Sequence, residues 1–376
     1  MNSFDIYSKN REIYDKFIRH SSESNRVLEN KLFEFYKLNE IEQNYELDFF
    51  HLIFKHARAC DDCAMQTSIT QLSQLVVDLV LNQRRTSYPL LICMIDLVKS
   101  NDTLSHSTLN QFMSVACSLW NHDKIYMCRK SMELCYRLIG LIQDDSSYII
   151  QNVIKYIRHY RLIMNRDDLE NMRLPDYTEF FNDGCHASTF DRGTIKLLVQ
   201  IILRLFLKKE NPMMNDLMIE LKEVYDSCIK SKNEFWEILF DICCVNDDDT
   251  VQLLDTILLL YQQLSSSSYY LSFLKSIDID PHLLFLFFLY RCGSTHDILI
   301  DLLLENDSEF LAYFHQYIRY TINHMLEFKY ALENSFIDLD TLQAIIANVL
   351  LILDGDGFPY NTKPLIRRLT QFEELL

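Results

Sequence analysis

The chain has 376 residues, 49% hydrophobic and 24% charged, a composition that supports a packed core and is far from the polar, charge-heavy make-up of disorder. Lys and Arg number 36 against 53 Asp and Glu, and the resulting net charge of −17 repels phosphate backbones and anionic lipid headgroups, so no direct nucleic-acid partner is expected. The length exceeds that of a single core and predicts two domains or one array of stacked elements.

Only 6 Gly and 6 Pro punctuate the chain, too few for strands joined by tight hairpins. The reading is all-α, with about 16 to 18 helices joined by short polar connections. Antiparallel neighbours over this length predict an irregular armadillo- or HEAT-like α-solenoid or helical superhelix, whose stacked pairs offer an extended binding surface.

At the start, Met1-Asn2-Ser3-Phe4-Asp5 runs into charged residues with no basic and then apolar leader, which predicts an intracellular chain with reduced thiols. The 11 cysteines then read as core residues, as at Cys93, Cys117, Cys135 and Cys228 within apolar helical runs. His51, His56, Cys60 and Cys63 form the one grouping with ligand types for zinc, and His56, Cys60 and Cys63 share a helical face. However, His51 points elsewhere, no second C-x-x-C follows, and Asp61-Asp62 fills the gap without a glycine. A thiol-bearing helix followed by an acidic turn is the plainer expectation, and a zinc-dependent enzyme built on these four residues is the rival.

Farther along, Met172 to Phe190 carries Pro175 and Gly184 among mixed polar and aromatic residues, and divides the chain into helical regions 1–171 and 191–376. Cys185-His186 within it places a nucleophile beside an imidazole in sequence only, and a surface loop explains both. Ile195 to Leu207 is apolar on almost every side and should lie deep. Lys208-Lys209, like Arg367-Arg368, reads as a solvated helix end. Cys243-Cys244 closes an apolar helix, and Asp247-Asp248-Asp249 lacks the alternating donors and central glycine of a calcium loop, which predicts a cap and first turn instead. No glycine-rich phosphate cradle occurs, so no cofactor is expected.

Thr256 to Leu274, interrupted by Ser265 to Ser268, reads as helix, turn, helix, and Leu283 to Tyr290 as a buried core helix. The latter is far shorter than the roughly 20 residues of a membrane span, so no membrane insertion is expected. Leu311, Phe314, Ile318, Ile322, Met325 and Phe328 predict one long helix after a start at Asn306-Asp307-Ser308-Glu309. Leu339, Leu342, Ile346, Val349, Leu350 and Leu353 predict another, capped by Asp338 and ended by Gly355.

The C-terminus, Gly355-Asp356-Gly357-Phe358-Pro359-Tyr360-Asn361-Thr362-Lys363-Pro364, is a corner between helices, with Gly355 and Gly357 free to take positive φ, Asn361 or Thr362 placed to cap, and Pro364 suited to the first turn of a helix carrying Leu365, Ile366, Leu369, Phe372 and Leu376. Phe358 and Tyr360 either pack or contact a partner, and Arg367 and Arg368 are the other candidate contacts. This Phe-Pro-Tyr-Asn corner before a Leu-rich last helix resembles the C-terminal region of the Lines family. His296-Asp297-Ile298-Leu299-Ile300-Asp301-Leu302-Leu303-Leu304, then Glu309-Phe310-Leu311-Ala312-Tyr313-Phe314 and Tyr317-Ile318-Arg319-Tyr320, is similar to the family's pattern in order and spacing, so the resemblance covers 278–376. The family's Pro directly after Phe-Pro-Tyr-Asn is absent here, where Thr362 intervenes.

The resemblance implies a non-enzymatic developmental regulator in Wnt/Wingless-type signalling and transcriptional patterning, acting in cytoplasm and nucleus through protein partners, among them transcriptional or Wnt-pathway regulators. It carries over no catalytic residue. From the helical pattern itself, the other reading is a helical-repeat subunit of a stable intracellular complex such as a trafficking assembly.

Overall fold

A computed structural model describes residues 3–18, 22–58, 63–82, 86–100, 104–142, 146–163, 192–208, 211–230, 235–264, 268–305, 309–355 and 357–376. Among them the regular elements are all helices: α1 (Ser3–Ile18), α2 (Ser22–Phe35), α3 (Glu40–Arg58), α4 (Cys63–Asn82), α5 (Tyr88–Ser100), α6 (His106–Ser118), α7 (Ile125–Leu141), α8 (Ser147–Ile163) and α9 (Arg192–Phe206). They continue with α10 (Met214–Lys230), α11 (Phe235–Cys243), α12 (Asp247–Gln263), α13 (Ser268–Ser276), α14 (Pro281–Arg291) and α15 (Asp297–Leu304). The last four are α16 (Phe310–Asn323), α17 (Met325–Glu333), α18 (Leu339–Leu353) and α19 (Lys363–Leu375). The all-α expectation is therefore correct. No described helix is long and apolar enough to cross a membrane.

The chain divides into two compact units, Met1–Leu205 and Phe206–Leu376. The stretch 172–190, predicted to separate two regions, lies outside the described residues, as does Cys185-His186 within it.

In the first unit α1 packs on α3, α3 on α5 and α5 on α7, while α2 packs on α4 and α4 on α6. Alternate helices thus form two layers, the packing order of stacked helix pairs. Lys31 of α2 ties the start together, its ammonium donating to Asn10 of α1 (2.6 Å) and to the Glu46 carboxylate of α3 (2.6 and 2.7 Å). All three side chains are largely withdrawn from water, where such a triad holds only because each charge is satisfied. The thiols behave as small hydrophobes: Cys93, Cys117, Cys128 and Cys135 are buried, with Cys117 and Cys135 sulfurs 3.7 Å apart between α6 and α7. No residue of α9 is fully exposed, as its near-continuous apolar sequence predicted. Its one interior arginine, Arg204, lies 3.5 Å from the Tyr136 ring centre and donates to the Tyr136 carbonyl (2.8 Å), so the charge crosses the apolar helix without an unpaired end.

The second unit is built on aromatic rings. Phe285 of α14 meets Tyr317 of α16 at 4.2 Å between centroids, Phe310 stacks on Phe314 at 5.4 Å, and Phe328 of α17 meets Phe372 of α19 edge-on at 5.3 Å. α14 starts where Asp280 accepts from the amides of His282 (2.8 Å) and Leu283 (3.2 Å), with Pro281 in the first turn.

Three local expectations need correction. The single helix expected over 311–328 is two, because His324 leaves helical geometry (φ −125°, ψ 37°). Its ring stacks on Tyr320 and its Nδ1 lies 2.9 Å from the Tyr320 carbonyl, supplying a side-chain partner at the break. The start expected at Asn306-Asp307-Ser308 lies outside the described residues, and Glu309 takes the cap position with no side-chain bond. At Asp247-Asp248-Asp249 the cap is Asn246, whose side chain accepts from the Asp249 amide; the three aspartates occupy the first turn, where they complement the helix dipole. Finally, at the C-terminal corner Gly357 takes positive φ (142°), whereas Gly355 does not.

Candidate functional site

Of the four residues weighed for zinc, His51 and His56 have described side chains. His51 of α3 pairs through Nδ1 with the buried Asp96 carboxylate of α5. His56, just over one turn farther along, meets Tyr14 of α1 edge-on at 6.4 Å. Cys60 lies outside the described residues, as does the side chain of Cys63 at the start of α4. No group of three or more His, Cys, Asp or Glu among the described residues could hold a metal ion. Cys243 is buried and Cys244 half-buried at the end of α11.

At the C-terminal corner Phe358 and Tyr360 lie against each other at 5.7 Å, both half-buried. Burial pushes the Tyr360 phenol above its ordinary pKa, and its hydroxyl has no hydrogen-bond partner among the described residues. Arg368 is occupied structurally: its Nη1 donates to the His315 carbonyl (3.2 Å) and lies 3.0 Å from His315 Nδ1, joining α19 to α16. Burial and the neighbouring Arg368 and Arg319 charges hold the His315 imidazole below its usual pKa, so it stays a neutral acceptor toward the guanidinium. Arg367 is exposed. Of the four candidate contacts, Arg367 is exposed and Phe358, Tyr360 and Arg368 are half-buried.

A surface the sequence did not suggest lies elsewhere in the same unit. Trp236 in the first turn of α11 packs on Phe287 of α14 (6.2 Å), which also meets Phe240 edge-on at 5.1 Å. Over this base sits Phe336, 6.2 Å from both Trp236 and Phe287 and stacked on Tyr290 at 4.8 Å. Phe336 is 49% exposed, Tyr290 45% and the adjoining Leu339 40%. Offset-stacked rings of this kind are rigid, and each holds a large area that a partner can cover at little entropic cost.

The surface is built from both sides. The turn between α17 and α18 is fixed by Ser335, whose Oγ donates to the Leu332 carbonyl (2.9 Å) and accepts from the Ile337 amide (3.2 Å). Ile337 is buried and Asp338 caps α18 by accepting from the Thr341 amide (2.7 Å), so Phe336 is the apolar residue of the turn left facing outward. On the other side Arg291, after Tyr290, pairs with Asp241 of α11 (2.8 Å), fixing the end of α14 against α11. The Trp236 indole N–H is buried with no acceptor among the described residues.

Tyr290 was expected to be the last residue of a buried helix; it is 45% exposed instead, in the last turn of α14, with its ring stacked on Phe336. The available signal was in Asn334-Ser335-Phe336-Ile337-Asp338, which puts two adjacent apolar residues in a turn that can bury only one. Chemically the site offers ring faces and aliphatic area of the kind that contacts a partner. Comparison of the chain with protein-family models, with curated proteins and with solved structures gives no match.

Proposed function

We propose that the protein is a non-enzymatic helical scaffold that recruits protein partners through the Tyr290–Phe336–Leu339 surface. The observation that carries this reading is the exposed, pre-stacked aromatic surface, standing on the half-buried Trp236 and the buried Phe287 and Phe240. Rigid aromatic anchors over a packed base are where binding energy concentrates at protein interfaces. The two-layer helix stacking of the first unit is in keeping with a scaffold.

Within that role we place the protein with Lines-type developmental regulators, in Wnt/Wingless-type signalling and transcriptional patterning in cytoplasm and nucleus. The support for this is the likeness of the Phe358–Asn361 corner and of the 296–320 stretch quoted above. The test is affinity purification from native cells of the wild-type chain and a Phe336→Asp variant of unchanged helicity. Transcriptional or Wnt-pathway regulators that co-purify with the wild type and fall on the order of tenfold in the variant are the expected result. Partners that are all retained by the variant would remove this surface from the mechanism, and trafficking-complex subunits in place of those regulators would overturn the Lines-type assignment.

A further inference from the structure

The charge of the molecule is divided very unevenly. Residues 1–205 carry 24 Lys and Arg against 26 Asp and Glu, a net −2, whereas residues 206–376 carry 12 against 27, a net −15. Nearly all the excess acid therefore belongs to the unit that holds the aromatic surface.

Locally the asymmetry is the same. Glu237 follows Trp236, Glu333 precedes the Ser335 turn, and Asp338 and Asp340 flank Leu339; all four carboxylates are exposed. Asp338 is engaged as the α18 cap, while Glu237, Glu333 and Asp340 have no basic partner among the described residues. Arg291, the cation beside Tyr290, already holds Asp241. Among the described residues, an apolar centre is thus flanked in sequence by exposed carboxylates that lack basic partners, in a unit of net negative charge.

That charge selects among occupants. A second copy of this chain would bring the same acidic unit to the interface, and like charges opposed across a contact cost affinity and slow encounter. Nucleic acid and anionic bilayers are repelled for the same reason. We infer that the Tyr290–Phe336–Leu339 surface docks a basic polypeptide segment, one whose aliphatic or aromatic anchor covers the rings while flanking Lys or Arg side chains reach Glu237, Glu333 and Asp340. This rests on the proposed docking role of the surface and adds the chemistry of what docks there. Long cationic side chains fit both parts of it, since their methylene stems or guanidinium planes lie on ring faces while the charged ends meet the acids.

The test uses the full-length protein and a displayed library of random peptides of about 16 residues, selected on the wild type and counter-selected on Phe336→Asp. The expected winners have a positive net charge around an apolar anchor. For the best of them, Phe336→Ala should speed dissociation on the order of tenfold, whereas the combined Glu237→Gln, Glu333→Gln and Asp340→Asn variant should slow association on the order of tenfold and flatten its salt dependence. These are surface substitutions, and circular dichroism and the melting midpoint verify that each variant is folded. Neutral or acidic winners, or association rates indifferent to salt and to the neutralising variant, overturn the inference while leaving the docking role intact. No peptide dependent on Phe336 overturns the docking role itself. Concentration-dependent dimerisation of the wild type that Phe336→Asp abolishes identifies a second copy as the occupant and also overturns the inference.

Discussion

His282 and Asp280 stand two residues apart at the start of α14 and respond to acid in opposite directions. His282 is enclosed by Tyr317, Tyr320 and Phe328, and burial, aided by the nearby His324 and Lys275 charges, lowers its pKa to about 3. Between its ordinary value of 6.5 and that lowered value, the unfolded chain binds a proton that the folded chain refuses, so stability is lost as the pH falls. Asp280 is raised by burial against the opposing pull of its two amide bonds, so its folded form holds a proton that the unfolded form has released, and its contribution is lost as the pH rises. Urea denaturation from about pH 7 to about pH 4 reads the sum of the two opposing slopes, each at most about 1.4 kcal/mol per pH unit, and the variants separate them. In His282→Phe the loss of stability on acidification should become shallower than in the wild type, while in Asp280→Asn, which keeps a capping side chain, it should become steeper. Identical pH profiles for wild type and both variants would contradict the burial of this pair.

Among elements, the last helix carries the clearest energetic consequence. α19 inserts Leu365, Leu369 and Phe372 into the second unit while its opposite face stays wet, and Phe372 closes the aromatic run through Phe328. Phe372→Ala removes a fully buried ring that its rigid neighbours cannot replace, and a loss of about 3 to 5 kcal/mol is expected, measured as a fall in the denaturant midpoint. The exposed Leu326 on α17, at 87% accessibility, is the contrast: Leu326→Ala should change stability by no more than about 0.5 kcal/mol.

How much of this could be read in the sequence follows from what each signal depends on. α18 was legible because its apolar stripe, its Asp338 cap and its end before Gly355 are all local. The break at His324 was not, since no Pro or Gly marks it and the apolar spacing continues through Met325 and Phe328. The Phe358–Tyr360 corner drew attention through its motif, and the contact between its two half-buried rings was not written in that motif. Phe336 went unnoticed because its exposure depends on Ile337 taking the anchor position, a choice made by the core beneath. The acidity of the second half was present in the residues throughout, but it acquires meaning only once the division at Leu205–Phe206 is known.

At the scale of the whole molecule, the two tryptophans fall one to each unit, Trp120 packed edge-on against Tyr156 and Trp236 beneath the aromatic surface. A Trp120→Phe chain therefore reports on the second unit and a Trp236→Phe chain on the first. Self-repulsion among 27 carboxylates against 12 cations is relieved by salt, whereas the nearly balanced first unit has little to relieve. Raising sodium chloride to about 0.5 M should lift the melting midpoint followed through Trp236 more than that followed through Trp120. Equal shifts at both probes would show that the charge imbalance is not felt as strain within the second unit.

The enclosed sulfurs give oxidation a direction in time. Cys93 and Cys135 are fully withdrawn from solvent, and burial pushes both thiols well above their ordinary pKa, so neither offers a thiolate to an oxidant while the helices around it are closed. Damage at these positions follows opening and does not cause it. Once a sulfinate has formed, its charge and added oxygens have no place in a cavity shaped for a neutral sulfur, and closing over it would leave a buried anion uncompensated. Oxidation of either thiol to the sulfinate in an opened chain should therefore make closing less favourable than in the reduced chain, so that the loss of packing outlasts the opening that allowed it.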